Sequence, residues 1–325
     1  MGGFGCYRGR PARPRGSPAC QDRPHPAALP LTSARPLTLL EALPPPLERS
    51  LAQVRQRLEA LKRVVVAYSG GVDSALVAAL AVERLGAEAL AITGVSPALA
   101  PHLREEARAQ AAWLGLRHRE VPTAELADPA YASNPEDRCY ACKRELHGLL
   151  APIAAAAGAA QVVDGVNLDD LGDHRPGLRA AREHGVLSPL ADAGVDKAGV
   201  RQISRALGLP WWDKPAQPCL ASRFPYGESI SAERLRRVGA AEAWLRQRGF
   251  RDLRVRSQGE VARIELPAAS LGDALQQLAA AGLRAELVAA FLALGFQAVS
   301  LDLEGLMSGK LNRALRSPGP WPGES

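Results

Sequence analysis

Leu51, Val54, Leu58 and Leu61 recur at the three- and four-residue spacing of one helix face, which predicts a helix over residues 47–62. A short, mostly β-branched run follows at 64–68, as expected of a strand covered on both faces. The alternation continues with a helix at 75–85, a strand at 89–95, a helix at 102–114, a strand at 117–121, a helix at 144–157, a strand at 161–166 and a helix at 200–207. Strands separated by helices in this way call for right-handed crossovers and a parallel sheet. Near Tyr226 the pattern changes to a helix at 231–247, strands at 253–257 and 262–266, two helices, and a strand at 298–303. The expected fold class is α/β: a parallel-sheet domain over residues 47–225 and a smaller C-terminal α+β domain over 226–325.

Residues 1–46 show no apolar periodicity and are rich in Pro, Arg and Gly, so they are expected to be a disordered extension or the product of a start placed too far upstream. A transit peptide is the less favoured reading of the same stretch. The formal charge of +6 resides mostly there. Six arginines up to residue 47 outweigh Asp22 and Glu41 by four, which leaves +2 for the other 278 residues. A nearly neutral folded part gives no electrostatic case for a nucleic-acid partner. No apolar run reaches the roughly 18 residues of a membrane span, so no membrane partner is expected and the cytoplasm is the default location. Five cysteines in 325 residues are too few for a disulfide framework.

Ser69-Gly70-Gly71-Val72-Asp73-Ser74 joins a buried strand to a helix. Adjacent glycines let backbone N–H groups approach an anion, and the helix N-terminus adds partial positive charge. Ser69 and Ser74 offer hydroxyls, and Asp73 is placed to hold Mg²⁺ against phosphates. The Lys of a Walker A loop is missing, so simple γ-phosphate chemistry is not implied. The bland alternative is a tight strand-to-helix turn. Farther on, Asp164-Gly165-Val166-Asn167-Leu168-Asp169-Asp170 follows another strand, and its carboxylates either hold Mg²⁺ or cap a loop. Cys219 lies in a polar loop stiffened by Pro215, Pro218 and Pro225 and flanked by Lys214 and Arg223, a setting that favours a thiolate nucleophile over a structural thiol.

Ser-Gly-Gly-Val-Asp-Ser resembles, letter for letter, the PP-loop signature of ATP pyrophosphatases. That resemblance implies an adenine nucleotide alpha-hydrolase-like domain that cleaves ATP to AMP and pyrophosphate. It also implies that Ser69, Gly70, Gly71, Asp73, Ser74, Gly165, Asn167 and Asp169 line the nucleotide site. Pro218-Cys219-Leu220-Ala221-Ser222-Arg223, preceded by Trp212-Asp213-Lys214-Pro215-Ala216, resembles the LarE family of sulfur transferases. Arg138-Cys139-Tyr140-Ala141-Cys142-Lys143, residues 173–177 and Asp302-Leu303-Glu304-Gly305 agree with it, and the likeness runs from about residue 47 to Asn312. The family implies adenylation of both carboxylates of pyridinium-3,5-biscarboxylic acid mononucleotide and their conversion to thiocarboxylates, toward the nickel-pincer nucleotide of lactate racemase.

By the same resemblance Cys219 carries the sulfur, Ser222 and Arg223 belong to its segment, and Arg254 and Arg256 help hold a substrate phosphate. A solvated strand face is the equal alternative for those two arginines. Cys139, Cys142 and Cys219 match the branch that holds a 4Fe–4S cluster, whose open iron binds sulfide from a sulfur donor. A sacrificial Cys219 beside a bystander C-x-x-C, or a zinc site, are the other readings. Glu242 and Asp273 are expected to be surface carboxylates. A homo-oligomer is expected. The alternative function is a PP-loop tRNA thiolase, which would need a basic RNA-binding surface.

Overall fold

The computed structural model describes residues 37–172, 176–307 and 309–315; the expected extension at 1–36 lies outside them. Strands β1 (Val64–Ala67), β2 (Ala89–Val95), β3 (Arg117–Pro122) and β4 (Gln161–Val163) form an all-parallel sheet in the order β3-β2-β1-β4. Every residue of β1 is buried, as the continuous Val-Val-Val-Ala run requires of a central strand. Helices α1 (Pro45–Leu61), α2 (Val72–Leu85), α3 (Pro101–Leu114), α4 (Pro129–Ala132), α5 (Arg138–Ala156), α6 (Leu168–Gly172), α7 (Pro176–Glu183), α8 (Pro189–Asp192) and α9 (Lys197–Ala206) complete this half. One core holds Leu51, Val54 and Leu58 of α1, the alanines of α2, and Val200 and Ile203 of α9. A second, on the opposite face, holds Val65, Ile92, Leu150 and Val162.

Residues ahead of α1 lie against the first core. Leu43 is buried, Leu40 N–H donates to Ala206 O at 2.7 Å, and Leu37 N–H donates to the Glu83 carboxylate at 3.0 Å. The helix expected at 144–157 begins at Arg138 instead, which moves the C-x-x-C pair from a loop into a first helical turn. Arg138, buried at that turn, bonds to Asn134, whose φ of +56° ends the segment before it.

The second half consists of α10 (Ala232–Gln247), β5 (Arg254–Gln258), β6 (Val261–Glu265), α11 (Leu271–Ala279), α12 (Ala281–Ala293) and β7 (Ala298–Leu301). Ser231 caps α10 through the Arg234 N–H, as Ser at an N-terminus should. β5 and β6 are antiparallel, and β7 runs parallel to β6 at the end of a three-stranded sheet. The core of this half gathers Leu235, Val238, Val255, Ile264 and Phe291. It also takes in Leu103, Tyr131 and Ala141 from the first half, with Cys142 and Cys219 packed at its edge. The C-x-x-C helix thus joins the two sheets.

Candidate functional site

β1 pairs with β2 on one side and β4 on the other, so the strand order reverses there and a crevice opens at the carboxyl ends. Ser69–Ser74 leaves β1 into that crevice. Gly70 has φ +69°, and a Cβ there would stand 2.9 Å from the Ala107 Cβ. Only glycine gives both the left-handed turn and the close approach to α3. Ser69 N–H donates to Ser74 Oγ at 3.2 Å, and Ser74 Oγ bonds to Gly71 O at 3.2 Å, which holds the loop open. Gly165, after β4, presses on the same loop: a Cβ there would meet Ser74 N at 2.5 Å. The two sequence segments thus form two walls of one site.

Asp73 is partly exposed within it. Its Oδ1 accepts from Asn167 Nδ2 at 3.1 Å, and its Oδ2 from Lys197 Nζ at 2.5 Å. Lys214 Nζ donates to Gly70 O at 3.0 Å and pairs with Glu106 at 2.6 Å. Two lysines distant in sequence therefore converge on a loop that has none of its own. Lys197 carries no motif signal and was not readable from the sequence; only the docking of α9 brings it there. The carboxylates after β4 behave as caps. Asp164 accepts from Val166 N–H and Ser188 Oγ, Asp169 from Lys197 N–H, and Asp170 from Asn167 N–H. Burial pushes Asp164 above the usual carboxylate range, and its hydrogen bonds only partly offset this.

The 213–227 segment passes from this crevice to the start of α5. Arg138 Nη1 donates to Ala221 O at 3.0 Å, Asn134 Nδ2 to Pro225 O at 2.6 Å, and Gly227 N–H to Asn134 O at 2.8 Å. These bonds draw Cys219 toward Cys139 and Cys142, and all three are free thiols. Burial pushes the Cys142 thiol up to about 12, with the charge of Cys219 as the next cause; the same two causes, in the same order, raise Cys139. Arg138 is held above its ordinary range: its burial acts against the charge, but the sulfurs of Cys219 and Cys139 outweigh it. Among the described residues no three His, Cys, Asp or Glu are gathered closely enough to hold a single metal ion.

The expected flanking of Cys219 by Lys214 and Arg223 is not what the fold provides. Lys214 turns to the phosphate loop. Arg223 forms a buried pair with Glu242 at 2.7 Å and also donates to Pro218 O and Ser222 Oγ. The cation on the cysteine side is Arg138. Glu242, expected at the surface, is 1% exposed and also accepts from Val255 N–H; Asp273 is exposed as expected. Arg256 is buried against Glu265 at 2.9 Å and donates to Ser222 O. Arg254 holds only the Met307 carbonyl, at 3.3 Å. Its charge is disfavoured by burial and then by Arg223 and Arg256.

A parallel sheet carrying Ser-Gly-Gly-Val-Asp-Ser at the β1–α2 turn defines an ATP-dependent enzyme of the PP-loop class, and the family profile for NAD synthase matches residues 46–138. The pyridinium-3,5-bisthiocarboxylic acid mononucleotide synthase of Lactiplantibacillus plantarum is 38% identical over 79% of this chain and 92% of its own length. The chain belongs to that LarE family. An uncharacterized Synechocystis protein, slr1717, is 55% identical over 83% of this chain and 99% of its own. The NH(3)-dependent NAD(+) synthetase of Methanosarcina mazei is 31% identical over 46% of this chain and 60% of its own length. Among the described residues no helix is long and apolar enough to cross a membrane.

Proposed function

We propose that this chain is an ATP-dependent sulfur transferase that adenylates the carboxylates of pyridinium-3,5-biscarboxylic acid mononucleotide and converts them to thiocarboxylates for the nickel-pincer nucleotide. One observation carries the reading beyond family membership: a single segment, 213–227, touches the phosphate loop through Lys214 and the C-x-x-C helix through Ala221. Activation and sulfur delivery are thereby held on one piece of backbone. In this reading Ser69, Gly70, Gly71 and Ser74 cradle the phosphates, and Lys197 and Lys214 supply the positive charge that the loop lacks. Asp73, with Asn167 beside it, holds Mg²⁺ once Lys197 moves to a phosphate. Arg254, whose guanidinium meets no carboxylate among the described residues, takes the substrate phosphate. Arg223 and Arg256 shape that wall from inside their ion pairs.

Cys139, Cys142 and Cys219 are the residues that would hold a 4Fe–4S cluster. The donor set suits one: three thiols share a partly buried site too open for one ion, and their mutual repulsion is relieved when they ligate iron. Bound there, a cluster with one open iron position supplies a site for exogenous sulfide. Arg138 holds the third ligand's loop against the helix that bears the other two. A cytoplasmic location and self-association complete the reading, the latter supported by exposed Val288 and Leu292 on α12.

Anaerobically purified protein given ATP, Mg²⁺, sulfide and the dicarboxylate mononucleotide should release AMP and pyrophosphate and form thiocarboxylate. ADP as the main product overturns the reaction class. About four iron atoms per chain are expected, lost in Cys139→Ala, Cys142→Ala and Cys219→Ala alike. Iron-free active enzyme with dehydroalanine at position 219 would replace the cluster by sacrificial transfer.

A further inference from the structure

The chain has five lysines. Lys197, Lys214 and Lys310 each hold a carboxylate. Lys62 is exposed at the end of α1. Lys143 is exposed and forms no ion pair or hydrogen bond among the described residues, although it follows the C-x-x-C pair directly. On α5 it lies one turn beyond Cys139 and one turn before His147, so the three share a helix face. That face lies against α7. A Cβ on Gly177 would stand 2.9 Å from Lys143 Cγ and 3.4 Å from Cys139 O, so the glycine leaves the space through which the lysine stem passes.

The charge of Lys143 reaches toward the nucleotide as well as toward sulfur. It acts on Asp164 at the end of β4 and on Cys139 and Cys142 beside it. Asp164 adjoins Gly165, whose backbone abuts Ser74 of the phosphate loop. An unpartnered cation thus stands between the wall that receives phosphates and the helix that bears the thiols. A long, flexible ammonium in that place suits an anion that appears only while the two halves of the reaction meet.

We propose that Lys143 is a catalytic residue that binds the AMP phosphate of the acyl adenylate and stabilises AMP as it leaves. The inference rests on the sulfur-transfer reading above. In the step concerned, a sulfur nucleophile attacks the activated carbonyl carbon. A C–S bond forms, and the C–O bond to the adenylate phosphate breaks. The electron pair of that bond departs on AMP, and the proton of the attacking hydrosulfide goes to solvent. No electron is gained or lost overall. Negative charge grows on the phosphate that faces Lys143, where a fixed cation lowers the barrier.

AMP itself is the probe. Titration calorimetry of the anaerobically prepared full chain should show AMP binding weakened about tenfold in Lys143→Met, the expected size for a charge-assisted hydrogen bond, and largely restored in Lys143→Arg. Gly177→Ala, which crowds the lysine stem but keeps its charge, should weaken AMP binding by a smaller factor. With substrate and sulfide, Lys143→Met should accumulate acyl adenylate detectable after acid quench. AMP affinity equal to wild type in Lys143→Met overturns the proposal, as does an equal loss in Lys143→Arg, which would mark a packing role. If wild type forms no acyl adenylate, the sulfur-transfer reading fails, while the AMP titration still decides whether Lys143 binds this phosphate.

Discussion

The two halves of the molecule handle charge in opposite ways. In the parallel-sheet half, Asp73 and Lys197 form a 2.5 Å pair whose side chains are 22% and 35% exposed. In the second half, Arg223–Glu242 and Arg256–Glu265 have side chains no more than 5% exposed. An accessible pair can be exchanged for a ligand, because water and incoming ions compensate each partner as it separates. A buried pair cannot separate without stranding a charge in apolar surroundings. The first arrangement suits a site that must admit and release a metal nucleotide. The second suits a wall. Arg254, on the same strand as Arg256 yet left with one carbonyl, shows that exchangeability depends on the partner and not on residue type.

Breaking a locked pair should have the largest effect. Glu242→Ala leaves Arg223 buried and unpaired and removes the acceptor of Val255 N–H; a loss of about 3–5 kcal/mol in chemical denaturation is expected. Breaking the exchangeable pair should leave stability nearly intact and strike activity instead. Asp73→Ala is expected to slow pyrophosphate release on the order of 10²-fold, with an unfolding free energy within about 1 kcal/mol of wild type. A large stability loss there would erase the distinction. Lys197→Met should be milder, about tenfold in pyrophosphate release, since Lys214 remains at the loop.

His147 sharpens the comparison from within the first half, because it is a locked group there. It is 2% exposed, and neither ring nitrogen has a hydrogen-bond partner. Burial, followed by the charges of Lys143 and His184, lowers its pKa from 6.5 to about 3. Above pH 6.5 the imidazole is neutral in both folded and unfolded chains and has no effect on the pH dependence. As pH falls from 6.5 toward 3, the unfolded chain takes up a proton that the folded one refuses, and stability is lost. His147→Leu should therefore flatten the fall of melting temperature between pH 6.5 and 4 while changing little at pH 7.5. An unchanged acid slope would assign that fall to other groups.

By itself the sequence determined the alternation of buried strands and helices, the glycine loop at 69–74, and the change of pattern near Tyr226. These are local matters: Val-Val-Val-Ala suits only a strand covered on both faces, and Gly70 is needed wherever that turn occurs. The family motifs likewise marked Cys139, Cys142 and Cys219 as a set. Tertiary structure alone decided who meets whom. Lys197 reaches Asp73 across 124 residues, Arg138 holds Ala221 across 83, and Glu242 turns inward to Arg223 from a helix whose polar pattern suggested solvent. No periodicity encodes such pairings, because a charged side chain reads the same whether water or a buried partner satisfies it. The choice is made when α9 docks beside the phosphate loop and α10 closes over β5, where an unpaired charge would cost more than the pairing does.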